Sequence, residues 1–219
     1  MERQYRGILF DLDGVICYTD QYHYRAWKTV ADRLDIYFDE AINNRLRGVS
    51  RMESLEIILE RYDGVLTDAQ KVELATEKNE IYKRLLSDMT PADLPEAVRK
   101  TLPILRERGF ALAIGSSSRN TQFILSRIGL EGFFDAVSDG NNITRSKPDP
   151  EVFLKAAQYL SLAPAECLVV EDAKAGIEAA IAGGFDSAAM GDAVKCGLAT
   201  YALDGFDGLL DVCREPLRV

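Results

Sequence analysis

The sequence predicts an α/β protein: a doubly wound parallel sheet whose first strand is separated from the rest by an all-helical block. Three observations carry this expectation. A short apolar run, Ile8-Leu9-Phe10, ends in two acids one residue apart and then a glycine. From Cys17 to about Asp88 the apolar residues recur at helical spacing and nothing reads as a strand. After Pro91, strand-like and helix-like segments alternate with short loops between them, the pattern of right-handed crossovers in a parallel sheet.

Taken in order, the helical block opens with Tyr22, Ala26, Trp27, Val30 and Leu34 on one helical face, followed by Leu55, Ile58, Leu59 and Tyr62 on another. A third helix is expected over 68–86, with Asp68 near its start and charges along one face. Helices are then predicted over 97–108 ending at Gly109, over 121–128 ending at Gly129, over 150–160, and over 173–182 ending at Gly183-Gly184. Strands are predicted at 110–114, 136–137 and 167–170, with two further runs near 187–190 and 200–203 completing the sheet. The implied organisation is a core of residues 1–16 and 90–219 around a helical cap of residues 17–89. No internal repeat or low-complexity tract interrupts it.

Bulk properties narrow the function. The chain has 219 residues, 47% apolar and 28% charged, which is the balance of an ordinary globular protein. Its net charge of -9 argues against nucleic-acid and membrane-surface binding, which want a basic face. An anionic substrate must therefore be met by a local basic cluster. No run approaches a membrane span, and the opening Met1-Glu-Arg-Gln-Tyr-Arg6 does not read as a secretory leader, so a cytoplasmic protein is expected, with a monomer as the default. Cys17, Cys167, Cys196 and Cys213 are dispersed and His23 is the one histidine, which suits reduced thiols better than a zinc site.

Every well-defined strand ends in polar residues. Strand one gives Asp11 and Asp13, which alternation projects to one side while Leu12 faces the other. Later strand ends and loops give Ser116, Ser117 and Ser118 with Arg119 and Asn120, then Ser146-Lys147-Pro148, then Glu171-Asp172. In a parallel sheet these ends converge on one edge, where such sheets bind ligands. Carboxylates, hydroxyls, a lysine and helix N-termini together suit magnesium and a phosphoryl group. Blander readings exist for each. Asp-x-Asp-Gly is also a turn, Asp172 is also a helix N-cap, Lys147-Pro148 is also a bend, and Lys78 lies in a charged helix where solvated lysines are usual.

The set Asp11-Leu-Asp-Gly14, Ser116 closing a strand, Lys147-Pro148 and Glu171-Asp172 resembles, in order and spacing, the four motifs of the haloacid dehalogenase superfamily. Thr19, His23, Trp27, the run Gly48-Val-Ser-Arg-Met-Glu-Ser54, Lys78-Asn79 and Ser118-Arg119-Asn120 resemble the small-cap, phosphoglucomutase-type branch. The resemblance implies an Mg²⁺-dependent enzyme that interconverts β-D-glucose 1-phosphate and D-glucose 6-phosphate through an aspartyl-phosphate and a glucose 1,6-bisphosphate. A sugar-phosphate phosphatase on the same scaffold is the alternative. Asp11 is then the nucleophile and Asp13 the general acid and base. The Asp11 carboxylate, the Asp13 carbonyl and Asp172 hold the metal, with Glu171 in or near its shell. Ser116 and Lys147 stabilise the transferring group, His23 positions the cap and Asp13, and Thr19 belongs to the catalytic set. Arg51 grips a second phosphate, assisted by Ser118 and Asn120. Trp27, Gly48, Val49, Ser50, Ser54, Lys78, Ser117 and Arg119 complete the substrate-binding set, Trp27 more by packing than by contact. The chain departs from the family in having Arg119 where Lys is expected, Ala173 for Ser, Ser117 for a small apolar residue and an unfamiliar loop at 141–144. A non-catalytic phosphosugar binder is disfavoured, because binding alone does not need two adjacent acids that repel the ligand.

Overall fold

The computed structural model describes residues 4–216. Residues 1–3 and 217–219, the outer ends of the expected core, lie outside the described residues. The strands are β1 (Gly7–Phe10), β2 (Ala111–Gly115), β3 (Ala136–Ser138), β4 (Cys167–Glu171), β5 (Asp186–Ala189) and β6 (Tyr201–Ala202). All pairings are parallel, in the order β3-β2-β1-β4-β5-β6. Between β1 and β2 run α1 (Asp20–Arg33), α2 (Glu40–Asn44), α3 (Arg51–Leu59), α4 (Asp68–Leu86) and α5 (Glu96–Glu107). Then come α6 (Thr121–Arg127), α7 (Glu151–Tyr159), α8 (Lys174–Ala182) and α9 (Leu209–Val212). The doubly wound α/β class with an inserted helical cap is what the chain adopts.

Strand alternation builds two cores from the same central strands. Ile8, Phe10, Leu112, Ile114, Leu168 and Val170 join α5 and α6 in one cluster. Leu9, Ala113 and Val169 join α7 and α8 in the other. With both faces covered, β1 is buried throughout, which is why it reads as a continuous apolar run. The strand order reverses direction between β1 and β4, the topological switch where open α/β sheets form their crevice. The acids that follow these two strands are therefore neighbours.

The helices α1 to α4 bury a separate cluster around Trp27, Val30, Leu55, Ile58 and Leu74. Helices α3 and α4 both begin with a reciprocal capping box, Ser50 with Glu53 and Thr67 with Gln70. The far end of α4 belongs elsewhere: Tyr82 and Leu86 pack into the sheet's own core and tie the block to it. Among the described residues no helix is long and apolar enough to cross a membrane.

Departures from the sequence reading are local. Helix α2 was not expected; at five residues it is too short to show a period, and the Asp39 carboxylate starts it by accepting the Ile42 N–H at 2.9 Å. The helix expected from Ala173 begins at Lys174, and Asp172 does not cap it. The Glu171 carboxylate takes the Ala173 N–H instead, at 3.0 Å. The short α9 was also unanticipated, and β6 shrinks to two residues.

Gly115 ends β2 beneath the Phe153 ring, and a Cβ there would lie 2.6 Å from a ring carbon. Gly115→Ala is expected to destabilise the fold by about 1–3 kcal/mol through overpacking. The check is a lower denaturant midpoint at unchanged slope; an unchanged midpoint would show that the ring can yield.

Candidate active site

Asp11 and Glu171 sit at the ends of adjacent strands, and Lys147 is the cation between them. Its ammonium lies 2.5 Å from Asp11 Oδ1 and 2.5 Å from Glu171 Oε1, and 4.6 Å from the centre of the Phe153 ring. Lys147 is fully buried. Burial pulls its pKa down, but the two carboxylates outweigh this and hold it above the ordinary lysine value. The bend reading of Lys147-Pro148 is thus too small an account of this lysine.

One cation does not balance the acids. Asp11, Glu171 and Asp172 offer carboxylate oxygens within 4.8 Å of one another. Burial and then Glu171 and Asp11 push the Asp172 carboxyl well up from the usual range. Burial, only partly offset by Lys147, does the same to Glu171, and Asp11 adds to it. Asp13, half-buried, rises to about 6 through burial and the neighbouring Asp11 charge. Gly14 (φ +95°) lets the chain pass Asp172: a Cβ there would fall 2.0 Å from the Asp172 carboxylate. This oxygen-only donor set with surplus negative charge fits a hard divalent cation such as Mg²⁺.

From the helical side, Thr19 precedes α1 and its hydroxyl donates to Asp13 Oδ1. Lys78 is not on a solvated face. It is 2% exposed, with its Nζ 2.8 Å from His23 Nδ1 and stacked 4.4 Å from the Tyr82 ring centre and 4.9 Å from that of Trp27. Its charged-helix sequence hid this because its partners come mainly from α1. Burial first, then Arg51, pull the pKa of Lys78 and, with Lys78 itself, that of His23 well down. Trp27 is buried in the helical cluster and also borders the cavity.

A cavity of about 1170 Å³ separates the acids from the helices. Of the expected site residues, all border it except Thr19 and Lys147, which are buried behind its wall. Gly48, Val49, Ser50, Arg51 and Ser54 come to it from the start of α3; Ser116, Ser117, Ser118, Arg119 and Asn120 come from the end of β2. Arg51 is held below the usual arginine range by burial and by the like charge of Arg119. Neither guanidinium has an ion-pair partner among the described residues, while Arg119 Nε donates to the Gly140 carbonyl at 3.1 Å. Three contacts bridge sheet and helices around the rim. The Ser117 hydroxyl donates to the Gly48 carbonyl at 3.0 Å, Asn120 Nδ2 donates to Asn79 Oδ1 at 2.9 Å, and Arg47 reaches Asp192 at 3.4 Å. The hydroxyl at 117, a departure from the family pattern, thus has a structural use. Arg47, Asp20 and Tyr82 were missed by sequence reasoning. Only Tyr82, four residues beyond Lys78 on α4, carried a readable signal.

A parallel sheet with carboxylates at its switch point, a buried lysine between them and a helical cover define an enzyme of the phosphoryl-handling α/β class. The chain belongs to the haloacid dehalogenase-like hydrolase family, whose model matches residues 5–184. It is 42% identical to a β-phosphoglucomutase of Bacillus subtilis (strain 168), over 85% of this chain and 83% of that one. It is 32% identical to a fructose-1-phosphate phosphatase of Escherichia coli (strain K12), over 85% and 97%. Its fold superposes on a crystal structure of β-phosphoglucomutase from Clostridium difficile with a TM-score of 0.89, at 33% identity, covering 94% and 93% of the two chains.

Gly176 in α8 leaves no room beside Glu171: a Cβ would lie 1.9 Å from its carboxyl carbon. In an ordinary helix Gly→Ala stabilises by up to about 1 kcal/mol. Here Gly176→Ala is expected to displace Glu171 and to weaken Mg²⁺ binding by about 10-fold or more, the usual weight of a displaced group around a metal. Titration calorimetry with Mg²⁺ checks this, and unchanged affinity would remove Glu171 from the metal's surroundings.

Proposed function

We propose that this enzyme is an Mg²⁺-dependent mutase that interconverts β-D-glucose 1-phosphate and D-glucose 6-phosphate, with residues 17–89 acting as a cap on a core of 1–16 and 90–219. The observation that carries the reading is the pair of cations Arg51 and Arg119, which both border the cavity, feel each other's charge and have no ion-pair partner among the described residues. With the acid cluster and Lys147 already forming one place for a phosphoryl group, these guanidiniums provide for a second phosphate on the same molecule. A mutase working through a bisphosphate needs both places. A phosphatase for monophosphates needs one.

On this reading Asp11 attacks phosphorus and forms an aspartyl-phosphate, and Asp13 takes and returns the proton of the sugar oxygen. The rise of the Asp13 carboxyl to about 6 suits a group that must both give and accept a proton near neutrality. Thr19 orients Asp13 through its hydroxyl. The Asp11 carboxylate, the Asp13 carbonyl and Asp172, with Glu171, would hold Mg²⁺, which when bound neutralises charge on the phosphoryl oxygens. Lys147, behind the cavity wall, keeps Asp11 and Glu171 in place, and Ser116 faces the transferring group. His23 and Lys78 present nitrogen donors to the sugar side of the cavity, and closure of the cap excludes water.

Incubation with β-glucose 1-phosphate, Mg²⁺ and a trace of glucose 1,6-bisphosphate is expected to yield glucose 6-phosphate. Release of phosphate alone would make the protein a sugar-phosphate phosphatase. Asp11→Asn should abolish both turnover and labelling of the protein by a phosphoryl donor, and activity retained in that variant would remove Asp11 as nucleophile. Arg51→Ala should raise hydrolysis relative to transfer or weaken bisphosphate binding by about 10-fold or more, as loss of a charge-assisted contact does. If it alters neither, Arg51 has no second-phosphate role.

A further inference from the structure

We propose that Arg47 is a positioning residue that straps the helical block to the sheet above the acid cluster, and that it biases the phosphoryl group towards sugar by keeping water out. The inference rests on the transfer reading given under Proposed function. Arg47 precedes Gly48 in the chain, but its guanidinium is held by acids from three distant places. One nitrogen lies 3.3 Å from Asp20 Oδ2, in the first residue of α1. The other lies 3.4 Å from Asp192 Oδ2, in the turn after β5, and 4.0 Å from Asp172 Oδ2. The anchors are themselves braced. Asn43 of α2 donates to Asp20 at 3.1 Å, and Lys195 reaches Asp192 at 2.6 Å.

The contrast with Arg51 decides between a strap and a substrate contact. Arg51 faces another cation and no carboxylate at ion-pair distance, which leaves its charge free for an anion. Arg47 faces carboxylates on two sides, which cancel much of the potential a phosphate would feel. A planar fork spanning acids on different elements is a mechanical link. Arg47, Asp20, Asp172 and Asp192 all border the cavity, so breaking the link opens the mouth beside Asp172. Water entering there would form a P–O bond as the bond from phosphorus to Asp11 breaks. Inorganic phosphate would leave, the water proton would pass to Asp13, and Asp11 would return as a carboxylate.

The test is the ratio of inorganic phosphate released to glucose 6-phosphate formed, measured with β-glucose 1-phosphate, saturating Mg²⁺ and a bisphosphate primer. Arg47→Ala and Asp192→Asn should each raise the ratio by about 2- to 5-fold, the weight of a part-exposed ion pair. The double variant should rise no further than the larger single, because both remove one contact. Arg47→Lys should recover part of the loss. A second readout needs no turnover: small-angle scattering of the Mg²⁺-loaded protein should give a larger radius of gyration for Arg47→Ala and Asp192→Asn than for the unaltered chain. Unchanged ratio and radius, or fully additive effects, would overturn the strap. If the unaltered protein makes no glucose 6-phosphate, the mutase reading fails by itself, and an unchanged radius in both variants would then overturn the strap as well.

Discussion

The ammonium of Lys147, buried between Asp11 and Glu171, is the contact on which the rest of the site depends. Parallel strands place their carboxyl ends on one edge, and reversal of strand order puts β1 beside β4. Acids following both strands must then meet. Without a cation two of them would repel at close range in a medium that screens poorly. Lys147 relieves part of that repulsion and, having no exposure, does so without competition from water. What it leaves is an excess of negative charge, which adds to burial in raising the Glu171 and Asp172 carboxyls. That excess fits the group for a divalent ion.

The same charge balance shapes the helical block. With a net charge of -9 the chain has little positive potential to spare. Its cations near the cavity are used in three distinct ways. Lys147 is paired with acids, Lys78 is buried against aromatic rings and His23, and Arg51 and Arg119 have no ion-pair partner among the described residues. Only the last pair has full charge to offer an anion. Burying Lys78 among aromatic faces is tolerable because ring quadrupoles replace part of the lost hydration, and the cost appears as its lowered pKa.

The sheet and the acids could be read from the sequence because both follow from local pattern plus one topological rule. A buried strand between two others is apolar throughout, helices stop at glycines, and parallel strands gather their ends. Asp11, Asp13, Ser116, Lys147 and Glu171-Asp172 were legible for that reason, and their order in the chain carried the family. What stayed hidden depends on contacts between separate elements. The burial of Lys78 depends on Trp27 and His23 from another helix, and the placement of Arg47 depends on acids at 20, 172 and 192. Helix α2 escaped because one turn and a cap contain no period. The expected Asp172 cap is absent because the helix starts one residue later, with Ala173 in the N-cap position, while Glu171, turned inward towards Lys147, accepts the Ala173 N–H.

The site of insertion ties the cover to the chemistry. Only a few residues separate β1 from α1, and within them Gly14 turns the chain, Asp13 bridges to Cys17 and Thr19 bonds back to Asp13. Any rotation of α1 relative to the sheet must therefore be felt at Asp13, two residues from Asp11. On the proposed reading this makes opening of the cap and misplacement of the general acid one event. An open enzyme would then lack the seal against water, and transfer to the sugar, which needs Asp13 held in place, would suffer more than hydrolysis. Discrimination between sugar and water then depends on a closed state that the second phosphate, through Arg51 and Arg119, stabilises and that water cannot.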